Sequence, residues 1–505
     1  MPHLLLGFDI GTSVTKAALF SADGQQRAVA QRRTPLSHPH PGWVETDPET
    51  VWRNAAAVCR EVLSRASVTG ADVAAVGVCG TMVGAWVVDA AARPLRPAIL
   101  WEDGRSQDWI DEQERQRPGF LSRIFAQSGS AMQQGCTLPV LRWLVLHEPD
   151  VMRQAAAVFS SKDFVRARLT GRIAADITEA AVAPGSAVAR NRSPELIAAF
   201  GLDDWAHLLP PALDSAAVAG TVTKRAAEPT GLAVGTPVVT GAGDVPATLI
   251  GAGGNRAGIA CSILGTTCLN GLLVDAPVFE PADLGLLFTI PGGLWLRTMV
   301  NVAGTVNLDW LLGTLCPDLA DAPDRYARLE ALAATGGIGA GGALYVPYLS
   351  EAGIIAPRFA PLARGGFVGL TPRHGRAHLV RAVYEGVAYG IRDCFAVMRR
   401  PVERIRLVGG GARSAFWSQM LADVVGVEVE IPEGSEFGAK GAAMLAATGL
   451  GWCPDARAAA AAGFAIARRH APDVAKTAEY ERHFRAYRVW RDAVIDTASL
   501  ARGAA

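Results

Sequence analysis

The sequence lacks a surplus of charge of either sign, with Lys+Arg 48 balancing Asp+Glu 48 over 505 residues. Without a basic excess, a broad nucleic-acid footprint is excluded. It also lacks the low hydrophobicity of a disordered chain, being 50% hydrophobic and only 19% charged. Its cysteines (Cys59, Cys79, Cys136, Cys261, Cys268, Cys316, Cys394, Cys453) include no CxxC pair. A disulfide framework and a zinc spacing are therefore excluded, and a reducing cytoplasm is the expected compartment. No stretch approaches the ~18 unbroken apolar residues of a membrane span. The opening run Leu4–Phe8 has the length of a strand and no basic segment of a signal peptide before it. Two nucleotide signatures are missing as well: there is no GxxxxGK[ST], and Gly-Ala-Gly at 241–243 or 251–253 completes no GxGxxG.

What is present reads as alternating strands and helices. Leu4–Phe8 is an apolar strand, Asp9-Ile10-Gly11-Thr12-Ser13 a turn, and Val14–Phe20 a second strand with Lys16 at the turn's exit. Asp23-Gly24 predicts a hairpin, with a third strand over Ala28–Arg32. Thr46-Asp47-Pro48-Glu49 is a helix start, carrying a capping residue, a first-turn proline and an acid facing the dipole. The helix runs through Ala66, and Val73–Val78 follows as a buried strand. The order returns in the second half. Pro237–Thr240 ends at Gly241-Ala242-Gly243-Asp244, and Ile259–Leu264 runs into Gly265-Thr266-Thr267 before another apolar strand from Leu269. Two copies of strand, Gly-Thr turn, strand suggest an internal duplication. The loop-rich junction before Pro237 divides the chain into 1–240 and 241–505, within about ten residues. Near the end, Tyr480, Phe484, Tyr487 and Val494 keep helical spacing, as a core-facing stripe does.

The chemistry is carried by turns and acids. Backbone N–H groups converging in a turn form an anion nest, and a threonine hydroxyl adds a donor. Gly11-Thr12 and Gly265-Thr266 are two such turns, placed to grip a triphosphate from opposite sides of a cleft. Strand Ile405–Val408 runs into Gly409-Gly410-Gly411-Ala412 and a helix from Ser414, where glycine lets a base or phosphate approach the backbone. Asp9 ends a buried strand where a nucleotide-bound magnesium ion needs an oxygen ligand. Asp244 stands at the matching edge of the second half, placed to accept a proton from a substrate hydroxyl attacking a γ-phosphate. Taken singly, each aspartate is as readily a turn or capping residue. His374 and His378 stand four apart without a third ligand, so a structural role is expected rather than zinc.

These residues resemble a family. Phe8-Asp9-Ile10-Gly11-Thr12-Ser13-Val14-Thr15-Lys16 resembles the opening of the FGGY carbohydrate kinases. Trp101-Glu102-Asp103-Gly104-Arg105 is similar to their Trp-x-Asp-x-Arg block, 241–244 to their catalytic-aspartate block, and 365–385 to their long second signature. Gly409-Gly410-Gly411-Ala412-Arg413-Ser414 through Trp417 resembles the xylulokinase form of the adenosine loop. The resemblance implies an α/β fold of two actin-like, ribonuclease-H-type domains with the active site in the cleft between them. It implies ATP with Mg2+, and phosphoryl transfer to a small sugar or polyol. By the same resemblance Asp244 is the general base, and Asp9, with Asp244, lies on the metal side. Gly11, Thr12, Ser13, Lys16, Gly265, Thr266 and Thr267 line the phosphates, and Gly304 in Val302-Ala303-Gly304-Thr305 adds a backbone donor. Gly410, Gly411 and Ala412 lie against adenosine. Met82, Val83, Trp101, Asp103 and Asp244 contact substrate, and a homodimer is the implied assembly, with no nucleic acid or membrane partner.

The departures from the pattern bear on the sugar. Xylulokinases carry Gln-Met-His-Gly where this chain has Thr81-Met82-Val83-Gly84, and an amide common after the catalytic aspartate is Val245 here. The loop 348–357 also differs, looking more like the erythritol kinase and L-xylulose kinase branch. A ketopentose, as in xylulokinases, is the expected acceptor, with a polyol of the erythritol or xylitol type as the alternative. A reading from another class, a non-catalytic actin-like nucleotide-binding protein, leaves Asp244 without a purpose.

Overall fold

The computed structural model describes residues 3–501 apart from Val302 and Ala352, with side chains to Ala498. Met1 and Pro2, and the Val302 and Ala352 of two loops read above, lie outside the described residues. Strand β1 (Leu4–Ile10) is apolar except at Asp9, as a strand covered on both faces must be. It pairs antiparallel with β2 (Val14–Ser21), which pairs with β3 (Gln26–Arg33), and it runs parallel to β4 (Val73–Gly80). Far along the chain, β5 (Val218–Thr221) borders β6 (Pro237–Val239), and both β6 and the short β7 (Ala242–Gly243) run parallel to β4. The first sheet therefore reads β5-β6-β4-β1-β2-β3.

The second sheet repeats this plan. β8 (Ile259–Leu264) is antiparallel to β9 (Cys268–Val274), and β10 (Leu286–Ile290) pairs with β11 (Leu294–Asn301), which borders β9. β12 (Arg404–Val408) runs parallel to β8, β13 (Glu428–Pro432) parallel to β12, and β14 (Ile466–His470) closes the edge. In both sheets a run of antiparallel strands, three in the first and four in the second, is followed by two parallel ones, the arrangement of actin-like ATPase domains. The repeated strand–turn–strand segments of the sequence are β1–β2 and β8–β9, the innermost hairpin of each sheet.

Helices cover the faces. The first, α1 (Pro48–Arg65), begins as its sequence predicts, with Asp47 accepting from the N–H groups of Glu49 and Thr50 at 3.1 Å each. Between β4 and β5 lies a helical insert with a small core of its own around Phe120, Leu141 and Phe200. The insert also carries α2 (Ser161–Thr170) and α3 (Ile177–Val182), which return to the first sheet. α4 (Asp244–Gly251) links the sheets, and α5 (Arg376–Met398) and α6 (Ala415–Val425) pack on the second. At its start, α5 uses His378 Nδ1 to accept the Gly375 N–H at 3.1 Å, while His374 Nε2 lies 3.1 Å from the Gly341 carbonyl. The histidine pair is thus structural, and no cluster of three metal-type ligands exists among the described residues.

Helix α7 (Phe437–Gly449) follows β13 but crosses to lie on β1 and β4 of the first sheet, beside α4. The approach is closer than any side chain allows. A Cβ on Gly7 would stand 1.9 Å from the Ala439 carbonyl oxygen, and one on Gly77 1.9 Å from that of Ala442. From α7 itself, a Cβ on Gly441 would meet the Ala247 oxygen of α4 at 1.9 Å. The last helix, α8 (Val474–Ala501), buries Tyr480, Phe484 and Tyr487, and near its end Ile495 faces inward more fully than Val494. No helix among the described residues is long and apolar enough to cross a membrane.

Gly441→Ala should overpack the α4–α7 contact and cost on the order of 1–3 kcal/mol. A lowered denaturation midpoint is expected; an unchanged midpoint would mean that the two helices separate freely.

Candidate active site

The turn Gly11-Thr12-Ser13 closes the β1–β2 hairpin, with the Gly11 N–H donating to the Val14 carbonyl at 3.0 Å. Thr12 is held from across the cleft mouth, its Oγ1 accepting from Trp101 Nε1 at 3.0 Å. Trp101 remains 41% exposed, so its ring is open for contact with a ligand. Asp9 and Lys16 are directly paired across β1 and β2 and so share one face. Lys16 Nζ meets Glu436 Oε2, just before α7, at 2.8 Å. Burial raises the Asp9 carboxyl above its ordinary value, with Lys16 opposing. A Cβ on Gly438 would lie 2.8 Å from Asp9 Oδ2, so the glycine leaves that carboxylate its room.

The second sheet presents the matching turn. Gly265 N–H donates to the Thr267 carbonyl at 2.9 Å, and Thr266 and Thr267 are exposed at the tip. Gly304 lies against this turn, its N–H donating to the Thr266 carbonyl at 2.7 Å and that of Thr305 to Gly265 at 2.7 Å. The Gly304 N–H is therefore spent within the protein, and the residue braces the turn. A Cβ on Gly409 would stand 2.6 Å from the Leu264 oxygen, which places the glycine loop beside the turn at the ends of the neighbouring strands β8 and β12. Gly410 is exposed with open space at its α-carbon, whereas Gly411 and Ala412 are buried, Gly411 against Leu264. Open backbone in this loop is thus at 409–410.

Asp244 is the first residue of α4, its Oδ1 accepting from the Val245 N–H at 2.8 Å. Burial, and then the nearby charge of Asp9, raise its carboxyl to about 7. The two acids singled out in the sequence are therefore near each other, although they stand 235 positions apart in the chain. Met82 packs against the backbone beside Asp244, since a Cβ on Gly243 would sit 2.3 Å from its sulfur. Val83 is held at φ +58°, in the left-handed region that a β-branched residue rarely enters.

Asp103 is corrected by the structure. It is fully buried, with Oδ2 accepting from the Val44 N–H at 2.7 Å and Oδ1 bound to Arg105 Nε at 2.8 Å. Arg105 also reaches Glu45 at 2.7 Å and lies 3.9 Å over the Trp43 ring. Both carboxylate oxygens are engaged in a buried cluster beside the Trp101 loop, not turned toward open space. Nor is Asp103 half of a surface pair, the other reading of its neighbour Arg105.

Sequence reasoning missed the support under Asp244. Lys162 lies between Asp163 and Asp176 at 2.7 Å from each, and Arg166 binds Asp163 at 2.6 Å and the Thr240 carbonyl at 2.9 Å, all four side chains being buried. Asp176 accepts from Thr178 Oγ1 at 2.6 Å, and Thr178 Oγ1 accepts from the Gly243 N–H at 2.9 Å. Next to it, Glu179 Oε1 accepts the N–H of strained Val83 at 2.8 Å, while Oε2 has no hydrogen-bond partner among the described residues. Burial lifts this carboxyl to about 8. The only sequence signal was Asp176 with Glu179 three residues on, a helix-start pattern that says nothing of the cleft.

Comparison with known proteins gives this site its class. The family model described as the FGGY family of carbohydrate kinases, N-terminal domain, matches residues 4–251, and the C-terminal domain of that family matches 260–450. The chain is 34% identical over 451 residues to a xylulose kinase of Escherichia coli (strain K12), covering 88% of this chain and 89% of that protein. It is 32% identical over 504 residues to an erythritol kinase of Brucella abortus (strain 2308), covering 96% and 95%. The crystal structure of a xylulose kinase from Rhodospirillum rubrum superposes with a TM-score of 0.88 at 31% identity, covering 98% of this chain and 100% of that one. The protein is a sugar kinase of two actin-like domains. The chain belongs to the FGGY family of carbohydrate kinases, which use ATP as the phosphate donor and act on small sugars or polyols.

Thr178→Val removes the acceptor of the Gly243 N–H and should cost ~1–3 kcal/mol by leaving it unsatisfied. Turnover is expected to fall while the KM for ATP stays near the parent value. A proportionate rise in both KM values with unchanged turnover would mean that the bond does not position Asp244.

Proposed function

We propose that this kinase phosphorylates a hydroxyl of a ketopentose, with Asp244 as general base. The carrying observation is a buried carboxyl raised to about 7 at the start of α4, with the charge of Asp9, two residues before the first Gly-Thr turn, near it. As the acceptor oxygen attacks the γ-phosphorus, its proton passes to Asp244, and the bond to the β,γ-bridging oxygen breaks to release ADP. The residues 1–240 and 241–505 would act as the two arms that close over the substrates and exclude water. Backbone N–H groups of 11–13 and 265–267 and the Lys16 ammonium offer the phosphates their donors, Lys16 exchanging Glu436 for phosphate oxygen. The open backbone at Gly409–Gly410 is where a flat base fits.

Asp9 fits a Mg2+ site of the kind that keeps several waters, being a buried carboxylate with the acids Asp244 and Glu436 near it. Mg2+ bound with nucleotide would neutralise charge on the β- and γ-phosphates. A second reading, a polyol acceptor of the erythritol or xylitol type, is favoured by apolar Val83 and Val245 beside the base and by the erythritol kinase relative.

Coupled ADP release across D- and L-xylulose, D- and L-ribulose, erythritol, xylitol, ribitol, arabinitol and glycerol decides between the two. A ketopentose signal is expected, and a signal confined to alditols would replace the first reading by the second. Asp244→Ala should lower turnover at least about a hundredfold; a folded variant near parent turnover would remove Asp244 as base. Because the base must be ionised, kcat/KM should fall as pH drops through about 7. Asp9→Asn removes the like charge that raises Asp244, so the surviving activity should show this acid limb at lower pH. A limb left in place would mean that another group titrates.

A further inference from the structure

The first three residues of α3 each hold a different part of the molecule. The Ile177 carbonyl accepts from Thr289 Oγ1 of β10 at 3.2 Å, which ties the turn to the second sheet. Thr178 Oγ1 accepts the Gly243 N–H at 2.9 Å, directly before Asp244. Glu179 reaches a third segment, its Oε1 accepting the Val83 N–H at 2.8 Å. That segment leaves the end of β4, where β7 runs alongside and delivers Gly243 and then Asp244. Met82 packs on Gly243, and Val83 stands in the left-handed region at φ +58°. Gly84 follows at φ +74°, where a Cβ would lie 2.3 Å from the Ile99 carbonyl oxygen. The path of 82–84 is therefore tightly set, and only one side chain, Glu179, holds the strained residue by its N–H.

Glu179 is otherwise ill placed. Its side chain is buried, it takes no part in the ion pairs of Lys162 with Asp163 and Asp176, and its Oε2 has no hydrogen-bond partner among the described residues. Burial raises the carboxyl to about 8 against the pull of Lys162, so at neutral pH it is an uncharged acid whose carbonyl oxygen takes the Val83 N–H. A buried polar group with a bond unmade costs stability. A β-branched residue in the left-handed region persists only where its surroundings over-determine it, and such strain collects at ligand sites. We propose that Glu179 is a positioning residue for the acceptor: by holding the Val83 N–H it fixes Met82 and Val83 in the one arrangement that the sugar or polyol meets. Thr178 fixes the backbone of the base from the same turn, so adjacent residues of α3 divide the labour between affinity for the acceptor and turnover. The inference rests on the proposed placement of the acceptor beside Asp244, and it holds for a ketose and an alditol alike.

Glu179→Met keeps the length of the side chain and removes the acceptor of the Val83 N–H. The full chain is assayed with whichever member of the panel above the unaltered enzyme phosphorylates fastest. The KM for that acceptor should rise at least about tenfold, while turnover and the KM for ATP stay within about twofold of the parent. Glu179→Gln retains a carbonyl oxygen and matches the uncharged acid in shape, so its acceptor KM should stay within about twofold of the parent. Should Glu179→Met fold poorly, Glu179→Asp draws the oxygens back by one methylene and is read in the same way. A parent acceptor KM in the folded variants, an equal rise in the KM for ATP, a loss confined to turnover, or Glu179→Gln as weak as Glu179→Met would each overturn the proposal. Asp244→Ala keeps this apart from a failure of the placement itself: retained turnover there removes the base, whereas an unmoved acceptor KM in the Glu179 variants removes only the role of Glu179.

Discussion

Everything in the cleft depends on the bare backbone contact between α7 and the floor of the first sheet. Gly7 and Gly77 lie beneath the Ala439 and Ala442 carbonyls, and on the helix side Gly441 admits the Ala247 carbonyl of α4. Hydrogen in place of a methyl at each point lets a helix that follows strand β13 of the second sheet rest on the first. One consequence is that the N-terminal end of α7 arrives at Asp9, with Glu436 reaching Lys16. Another is that α4, whose first residue is Asp244, is clamped between the sheets. The sites at the two strand edges therefore share one rigid reference, and any hinge motion must be accommodated around α4 and α7 rather than through a slack linker.

The electrostatics of the acids follow from that placement. Asp244 begins a helix, where the positive end of the dipole would ordinarily favour a carboxylate. It is raised nonetheless, because burial outweighs the helix end and the neighbouring Asp9 adds a like charge. Asp9 is likewise raised by burial but moderated by Lys16. Two carboxyls in one dry cleft thus differ in how easily they ionise according to whether a cation stands beside them. The strongly paired network of Lys162, Asp163, Arg166 and Asp176 lies behind this, holding the backbone at Thr240 and Gly243 without adding a net charge.

Much of this was legible in sequence where it was local. The strand–turn–strand hairpins, the capped start of α1 and the glycine loop before α6 each lie within about twenty residues, and hydrophobic pattern with turn chemistry is enough to place them. The repeat of the pattern also announced the two similar sheets. What stayed hidden depends on separation in the chain. The Lys16–Glu436 pair spans 420 positions and Thr178–Gly243 spans 65. No periodicity relates such residues. Asp103 was misread for a different reason: a Trp-x-Asp-x-Arg string shows that an acid and a base are near each other, but not that Val44 and Arg105 consume both oxygens of the acid. Gly411 and Ala412 belong to an exposed-looking loop, yet Leu264 lies against Gly411 and both are buried.

The duplication is also unequal in a way that matters for the chemistry. Counting from the paired turns, Asp9 corresponds to Ile263 and Lys16 to Asn270. Ile263 carries no charge, and Asn270 is buried, its Oδ1 accepting from Ser262 Oγ at 2.8 Å. The second turn therefore offers only neutral groups, the backbone and the hydroxyls of Thr266 and Thr267, while the charges stand on the first sheet and at Asp244. A neutral wall can grip a polyanion by hydrogen bonds without competing for its counter-charge, and the opposite wall can respond to charge that develops at the reacting end. A strand plan repeated in the two sheets thus carries charge at one turn and only neutral groups at the other, through the identity of two side chains two residues before and five residues after each turn's glycine.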